Sequence, residues 1–172
     1  MSPAATPLLR IPVGVVVERR KADSPWIDVV WRGVAVLPDE PDMVPWTTLR
    51  NDAEATLFYA GSANVDLYRS ETARYRDNLA SGCPSVWIVL SPSEGCWPYA
   101  VAAVTADPAE GEAFTEAGAN LVETVSMPDV VRCKIEDFVA EHHVERAFVK
   151  RERRRADPEV MARRQHEGGK EK

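Results

Sequence analysis

The sequence is poor in the residues that build metal and nucleophile sites, and it lacks long apolar runs. It has three cysteines and three histidines in 172 residues. Cys83, Cys96 and Cys133 are odd in number, unequally spaced and without a CxxC pair, which argues against both a disulfide framework and a zinc or iron–sulfur site. No window approaches the roughly 18 apolar residues of a membrane span, and the N-terminal residues lack the pattern of a signal peptide. We therefore expect a cytoplasmic protein with reduced thiols, no metal and no membrane span.

Catalytic motifs are equally scarce. No glycine-rich loop follows a predicted strand, and no serine lies in a GxSxG sequence. His142 and His143 are adjacent on a predicted helix and point about 100° apart, so a structural or surface role is favoured over a shared metal. We expect no catalytic residue, no cofactor and no enzymatic activity.

Charge is distributed unevenly along a chain whose length suits one domain. The net charge is −6, but 22 of the 27 acidic and only 11 of the 21 basic residues precede residue 146. The sequence predicts an acidic domain over 1–149 and a basic tail over 150–172. The tail is consistent with an acidic partner, and equally with a role limited to solubility.

Residues 11–37 carry the clearest pattern, two apolar segments that flank a short polar link. Val13, Val15 and Val17 alternate in the first segment, and β-branched residues favour a pleated strand. The link at 21–25 ends in proline and has the polar residues of a turn. An antiparallel hairpin is predicted.

The rest of the chain adds further strands and capped helices. Residues 38–49 are expected to form a loop pinned to the core by Trp46 and Leu49, and Gly61-Ser62 to turn between two strands of a second hairpin. The apolar run 86–90 is typical of a central strand. Further strands are predicted at 99–105 and 119–125. Helices are predicted at 71–80, 107–117 and from 126 to about 145. The apolar stripe of the second helix is expected to consist of Ala113, Phe114 and Ala117. The fold class is α+β, a mostly antiparallel sheet with the last helix packed on one face and a basic tail.

The tryptophans and the end of the last helix are the candidate contact residues. An exposed member among the five tryptophans would be a protein-contact anchor. The basic end of the helix is expected to contact a partner through charge steering and two apolar anchors. These candidates are His142, His143, Phe148, Val149, Lys150, Arg151, Arg153, Arg154 and Arg155. Nucleic acid is disfavoured because no aromatic residue interleaves the basic run and the preceding domain is acidic.

Several segments together resemble a proteobacterial family of unknown function, whose members are typically encoded beside molybdenum-dependent formate dehydrogenase genes. They are IPVGVVVERR, VVWRGVAVLP, PWTTLR, LFYAG, VDLYRSETARYRDNL, PSVWIVL and FVAEHHVERAFVKRERRR. The resemblance implies an accessory role in making or maturing the dehydrogenase, with one of its subunits or its assembly machinery as partner. It carries over no catalytic residue.

The alternative is an enzyme or cofactor-handling protein of molybdopterin guanine dinucleotide biosynthesis, a label that some members of that family carry. Guanylyltransferases of that pathway begin with a Rossmann-like strand and a glycine-rich loop, whereas this chain begins with a predicted hairpin. The resemblance therefore favours the accessory role over the enzyme.

Overall fold

The computed structural model describes residues 6–116 and 118–144, which form seven strands and three α-helices. A short 3-10 turn, Arg69–Glu71, precedes the first helix. In chain order the elements are β1 Leu9–Ser24, β2 Ile27–Pro38, β3 Thr47–Asn51, β4 Ala55–Leu67, α1 Thr72–Leu79, β5 Ser85–Pro92, β6 Tyr99–Thr105, α2 Pro108–Glu116, β7 Leu121–Ser126 and α3 Asp129–His142.

The strands form two antiparallel sheets, with the orders β2-β1-β4-β3 and β6-β5-β7. The α+β class and the antiparallel pairing are confirmed, but the prediction of a single sheet was wrong. Bulges interrupt the ladders of β1 with both of its neighbours, and bulges increase local twist. The first sheet folds over the second, so that β4 lies against β6 and β2 against β7 without a shared ladder in the described residues.

The predicted hairpin is confirmed by the pairing of β1 with β2. Two details differ. The predicted link is wrong for residues 21–24, which continue β1 as strand so that the chain turns at residues 25–26, and β2 bulges where Val16 pairs with Ala35 and Val17 pairs with Gly33. The extra residue shifts the alternation of side chains, so Val36 lies in the core instead of on the face opposite Gly33.

The second predicted hairpin was wrong, because 55–67 is one continuous strand. Gly61 does not turn the chain; it has a φ of 138° and lies at a bulge opposite Val15. Glycine tolerates that backbone angle, which lets β4 bend and continue along β1. The predicted loop is also partly strand, since β3 pairs with β4, and Leu49 is the unpaired residue of a bulge and is 40% exposed.

The core lies between the sheets. Ile11, Val13, Val15 and Val17 alternate along β1 and are at most 1% exposed. β5 is the middle strand of the second sheet, as its apolar run predicted, and it faces them with Val86, Ile88 and Leu90. The sheets approach closely at Gly33, where a Cβ would lie 3.0 Å from Cγ2 of Ile88.

α2 covers the outer side of β5. Its start was predicted correctly, since Asp107 Oδ1 accepts the Ala109 N–H and Pro108 is the first residue. The predicted apolar stripe of α2 was wrong. Ala113 is exposed, Phe114 is half-buried and Ala117 lies outside the described residues. The buried residue of α2 is Gly111, which contacts the ring of Trp87. A helix without a side chain at this position allows the indole to lie directly beneath it.

α1 and α3 pack together at one end of the core. Val131, Ile135 and Phe138 are the buried side chains of α3, and Phe138 contacts the buried Tyr75 of α1. Asn78, also buried on α1, donates to the carbonyls of Ser85 and Ala106 and accepts the Ser85 N–H. One amide therefore joins α1 to β5 and to the residue that follows β6.

Candidate functional site

The two histidines predicted as contact residues are held by internal partners. His143 lies beside α1, with its Nδ1 3.2 Å from Thr72 Oγ1 and its Nε2 3.0 Å from Arg76 Nη1. Because a guanidinium only donates, Nε2 accepts, and Nδ1 carries the proton toward Thr72. The His142 ring packs on Phe138 with centroids 4.6 Å apart.

The other seven predicted contact residues lie outside the part of the chain that the structure describes. They are Phe148, Val149, Lys150, Arg151, Arg153, Arg154 and Arg155. Their role stays a prediction.

A two-stranded projection is the most exposed apolar feature of the described chain. The last pair of β1 with β4 is Arg20 with Ala55, and residues 21–29 continue beyond it as β1 and β2 alone. We call residues 21–29 the arm. At its tip Trp26 is 91% exposed and Ile27 is 55% exposed. Trp26 is therefore the exposed tryptophan predicted as a contact anchor.

One side of the arm continues the inner face of the first sheet. Residues paired directly in antiparallel strands point to the same side, and Val17 with Gly33 faces the second sheet. Two pairs further along, Arg19 lies opposite Trp31 and Lys21 opposite Val29. Ile27 follows at the next alternate position of β2. We call this surface the arm face; it consists of Arg19, Lys21, Ile27, Val29 and Trp31.

Four aromatic rings, one of which is Trp31 of the arm face, pack together at the base of the arm. Trp46 stacks on Trp97 with centroids 4.7 Å apart, and Trp31 stacks on Phe58 at 5.9 Å. Trp31 also meets Trp97 edge to face at 6.4 Å. Trp46 has a φ of 69°, an unfavourable angle for a tryptophan that the ring contacts and its N–H bond to the Tyr59 carbonyl maintain. The base of the arm is thus a packed, fixed platform.

The cations on and next to the arm differ in their ion pairing between the two sides of the hairpin. On the side opposite the arm face, Arg20 pairs with Glu18 at 3.3 Å and Arg32 with Glu123 of β7 at 3.1 Å. On the arm face, Arg19 and Lys21 form no ion pair with any carboxylate of the described residues. The arm face is therefore apolar and positively charged on a domain that is acidic overall.

A polar groove of about 360 Å³ lies between β4 and β6. Arg10 Nε lies 3.3 Å from Asp66 Oδ1, an enclosed oxygen that accepts no hydrogen bond of good geometry. Thr105 Oγ1 donates to Glu110 Oε2 at 2.5 Å. Burial raises the pKa of the Tyr68 phenol, and the charges of Asp66 and Glu110 raise it further. The groove is thus a second concave site on the described part of the chain, lined mainly by polar groups.

The cysteines form no disulfide within 6–116 and 118–144. Cys83, Cys96 and Cys133 are free and exposed. In that part of the chain no three histidine, cysteine or acidic residues are grouped as metal ligands. The helices among these residues are all too short or too polar to cross a bilayer.

The fold and the exposed arm define an α+β protein of two facing antiparallel sheets from which one hairpin projects. The chain belongs to a family described as a protein of unknown function, DUF3305, whose model matches residues 12–153. The matched region contains the whole arm, the aromatic platform and nearly all of the groove. No curated protein and no solved structure matches the chain.

Proposed function

We propose that this protein is a non-enzymatic accessory protein that acts by contact with another protein. Its proposed partner is a subunit of a molybdenum-dependent formate dehydrogenase or the assembly machinery of that enzyme. The sequence resemblance supports the choice of partner, and the arm supports the mode of action.

The single observation that carries the proposal is the exposure of Trp26 and Ile27 at the end of an ordered hairpin. Tryptophan is among the residues most enriched at the energetic centres of protein interfaces. Burial of one aromatic side chain removes roughly 150–250 Å² from water. The aromatic platform packs the base of this hairpin, which limits the backbone freedom that binding must remove.

The basic segment from Lys150 to Arg155 remains the second proposed contact element. His142 and His143, by contrast, are engaged with α1 and with Phe138, so the proposal gives them a structural role at the end of α3. The arm and the basic segment are separately testable.

The test is an untargeted pull-down from the native host with wild-type protein, a Trp26→Ser/Ile27→Ser variant and a Val130→Ser control. Val130 is also an exposed apolar residue, but it lies on α3. We expect the wild type and the control to retain the dehydrogenase and the arm variant to lose it, with unchanged melting temperatures. Equal recovery of the dehydrogenase by all three proteins would contradict the role of the arm.

A second variant tests the basic segment. Replacement of Arg151, Arg153, Arg154 and Arg155 by serine removes no apolar side chain, so we expect a nearly unchanged melting temperature. Co-purification with the dehydrogenase and its activity in cells should both fall. Unchanged values of both would remove the segment from the proposal.

The alternative function is an enzyme or cofactor-handling protein of molybdenum cofactor biosynthesis, and the groove between β4 and β6 is the observation that favours it. Its volume lies at the lower end of the range for small-molecule sites. Incubation with GTP, Mg²⁺ and molybdopterin separates the two functions. More than one product molecule per protein, abolished by Glu110→Gln, would replace the accessory role with the enzymatic one.

A further inference from the structure

We propose that the arm binds an extended, acidic segment of a partner protein, which adds as a strand to the outer edge of β2 and lies along the arm face. This inference rests on the proposed function for its biological setting, and it adds the chemistry of the partner. Three features of the arm and the arm face carry it: a free strand edge, an alternating apolar row and two cations that pair with no carboxylate of the described residues.

The outer edge of β2 is available along the arm. β2 pairs with β1 alone among the described residues, and its contact with β7 is near Arg32, at the base. An edge strand presents backbone N–H and C=O groups that add another strand readily, and proteins commonly block such edges with lysine or proline. From Ile27 to Val30 the edge strand has no lysine, no proline and one charged residue, Asp28. Nothing in its sequence blocks strand addition.

The alternation along β2 selects the partner's apolar residues. Ile27, Val29 and Trp31 occupy every second position, which matches the two-residue period of an added strand. Every second side chain of that strand would lie next to this row. Backbone pairing would then supply affinity, and the row would supply register.

The charges select acidic residues in the same segment. Neighbouring strands are about 5 Å apart, so the added strand would lie about 10 Å from β1, within the combined reach of a lysine and a glutamate side chain. Lys21 is opposite Val29, a short residue over which its side chain can extend toward the new strand. Arg19 supplies a second positive charge two residues away. Acidic side chains in the added segment would meet both.

A protein segment fits this surface better than a nucleic acid. Local charges dominate within about 10 Å, so two cations suffice to attract a short acidic segment. A polyphosphate chain extends beyond the arm and would meet the remainder of the domain, where acidic residues outnumber basic ones two to one before residue 146.

The probes are short fluorescent peptides, measured by anisotropy against the full-length protein. The first alternates valine with glutamate, the second alternates valine with lysine, and a single-stranded oligonucleotide is the third. We expect the acidic peptide to bind at least about tenfold more tightly than the basic one, since each exposed charge pair contributes a small but additive amount. Two further versions of the acidic peptide are N-methylated, one at the odd and one at the even residues, and each lacks the N–H groups of one strand edge. Only the version that lacks the N–H groups facing β2 should fail to bind.

Charge reversal on the protein supplies the matched control. Arg19→Glu combined with Lys21→Glu should invert the preference between the acidic and basic peptides. Arg69→Glu combined with Lys134→Glu makes the same change in net charge away from the arm and should preserve the preference. Circular dichroism and the melting temperature verify that both variants are folded.

Four results would overturn this inference: equal binding of both peptides, tighter binding of the oligonucleotide, indifference to N-methylation, or a dimer that Ile27→Asp dissociates. The last would make a second copy the occupant of the edge. These outcomes are distinct from failure of the proposed function. Selective peptide binding together with a pull-down that lacks the dehydrogenase would retain the surface chemistry and reject the biological partner.

Discussion

Gly111→Ala tests the packing of α2 on β5, because two effects of opposite sign act at this position. In an unconstrained helix, alanine is favoured over glycine by about 1 kcal/mol. Here an added Cβ would lie 2.4 Å from Cγ and 2.5 Å from Cδ1 of Trp87. Those are ring atoms of a residue on a central strand, which moves only with its neighbours. Overpacking of this kind costs about 1–3 kcal/mol, and so close a contact belongs near the upper end.

We therefore expect Gly111→Ala to lose about 2 kcal/mol of unfolding free energy, or about 4–8 °C in melting temperature. Urea unfolding followed by tryptophan fluorescence measures this, and Gly95→Ala, a loop glycine whose nearest neighbour is Ser93 Oγ at 3.3 Å, is the matched control. Trp87→Leu replaces the indole with a smaller side chain. In that background, Gly111→Ala should therefore lower the free energy of unfolding by less than it does in the wild type. A Gly111→Ala protein as stable as the wild type would refute the reasoning.

Two further predictions concern the α1 end of the core. Asn78→Ala should lower the free energy of unfolding by about 2–4 kcal/mol, since the buried Ala106 carbonyl and the part-buried Ser85 backbone groups lose their partner. Ala80→Ser on the exposed end of α1 should change it by less than about 0.5 kcal/mol, and chemical denaturation compares the two variants. Burial raises the pKa of Tyr75 to about 12, so the unfolded chain ionises first as the pH rises above its ordinary value of 10.0, and stability is lost between these two pH values. Tyr75→Phe should flatten this part of the stability curve, although Tyr68, whose pKa is also raised, still contributes to it. An unchanged slope would contradict the assignment.

Local patterns predicted much of the fold because local forces set them. The alternation of Val13, Val15 and Val17 and the Asp107-Pro108 cap each depend on residues within one turn or one strand. The apolar run of β5 likewise predicted a strand covered on both sides. These elements were correct in type, although β1 extends through Ser24 into the predicted link.

The errors arose where a distant residue decided the outcome. Gly61 and Ser62 are residue types typical of a turn, but the pairing of Gly61 with Val15 places it at a bulge within β4. Gly111 is buried because Trp87 lies beneath it, which helical periodicity does not reveal. The division into two sheets depends on several bulges whose effects on twist combine, and no sequence window contains them all.

The arm illustrates the same division for the candidate site. The sequence predicted the hairpin and identified an exposed tryptophan as a contact signal, but which tryptophan is exposed depends on where the pairing of β1 with β4 ends. The arm face was also hidden, since Arg19 shares a side with Trp31 only through the register of β1 with β2. Once that register is known, the placement of Arg19 and Lys21 on the arm face follows directly.

Site-specific photocrosslinking in the native host tests the central claim most directly. A photoreactive phenylalanine analogue placed at Trp26, at the tip of the arm, is compared with the same analogue at Val130 on α3, both being exposed positions. We expect a crosslink from position 26 to a subunit or assembly factor of the formate dehydrogenase, and none to it from position 130. Crosslinks to the dehydrogenase from position 130 alone, or from neither position while the protein still co-purifies with it, would contradict a role of the arm in this contact.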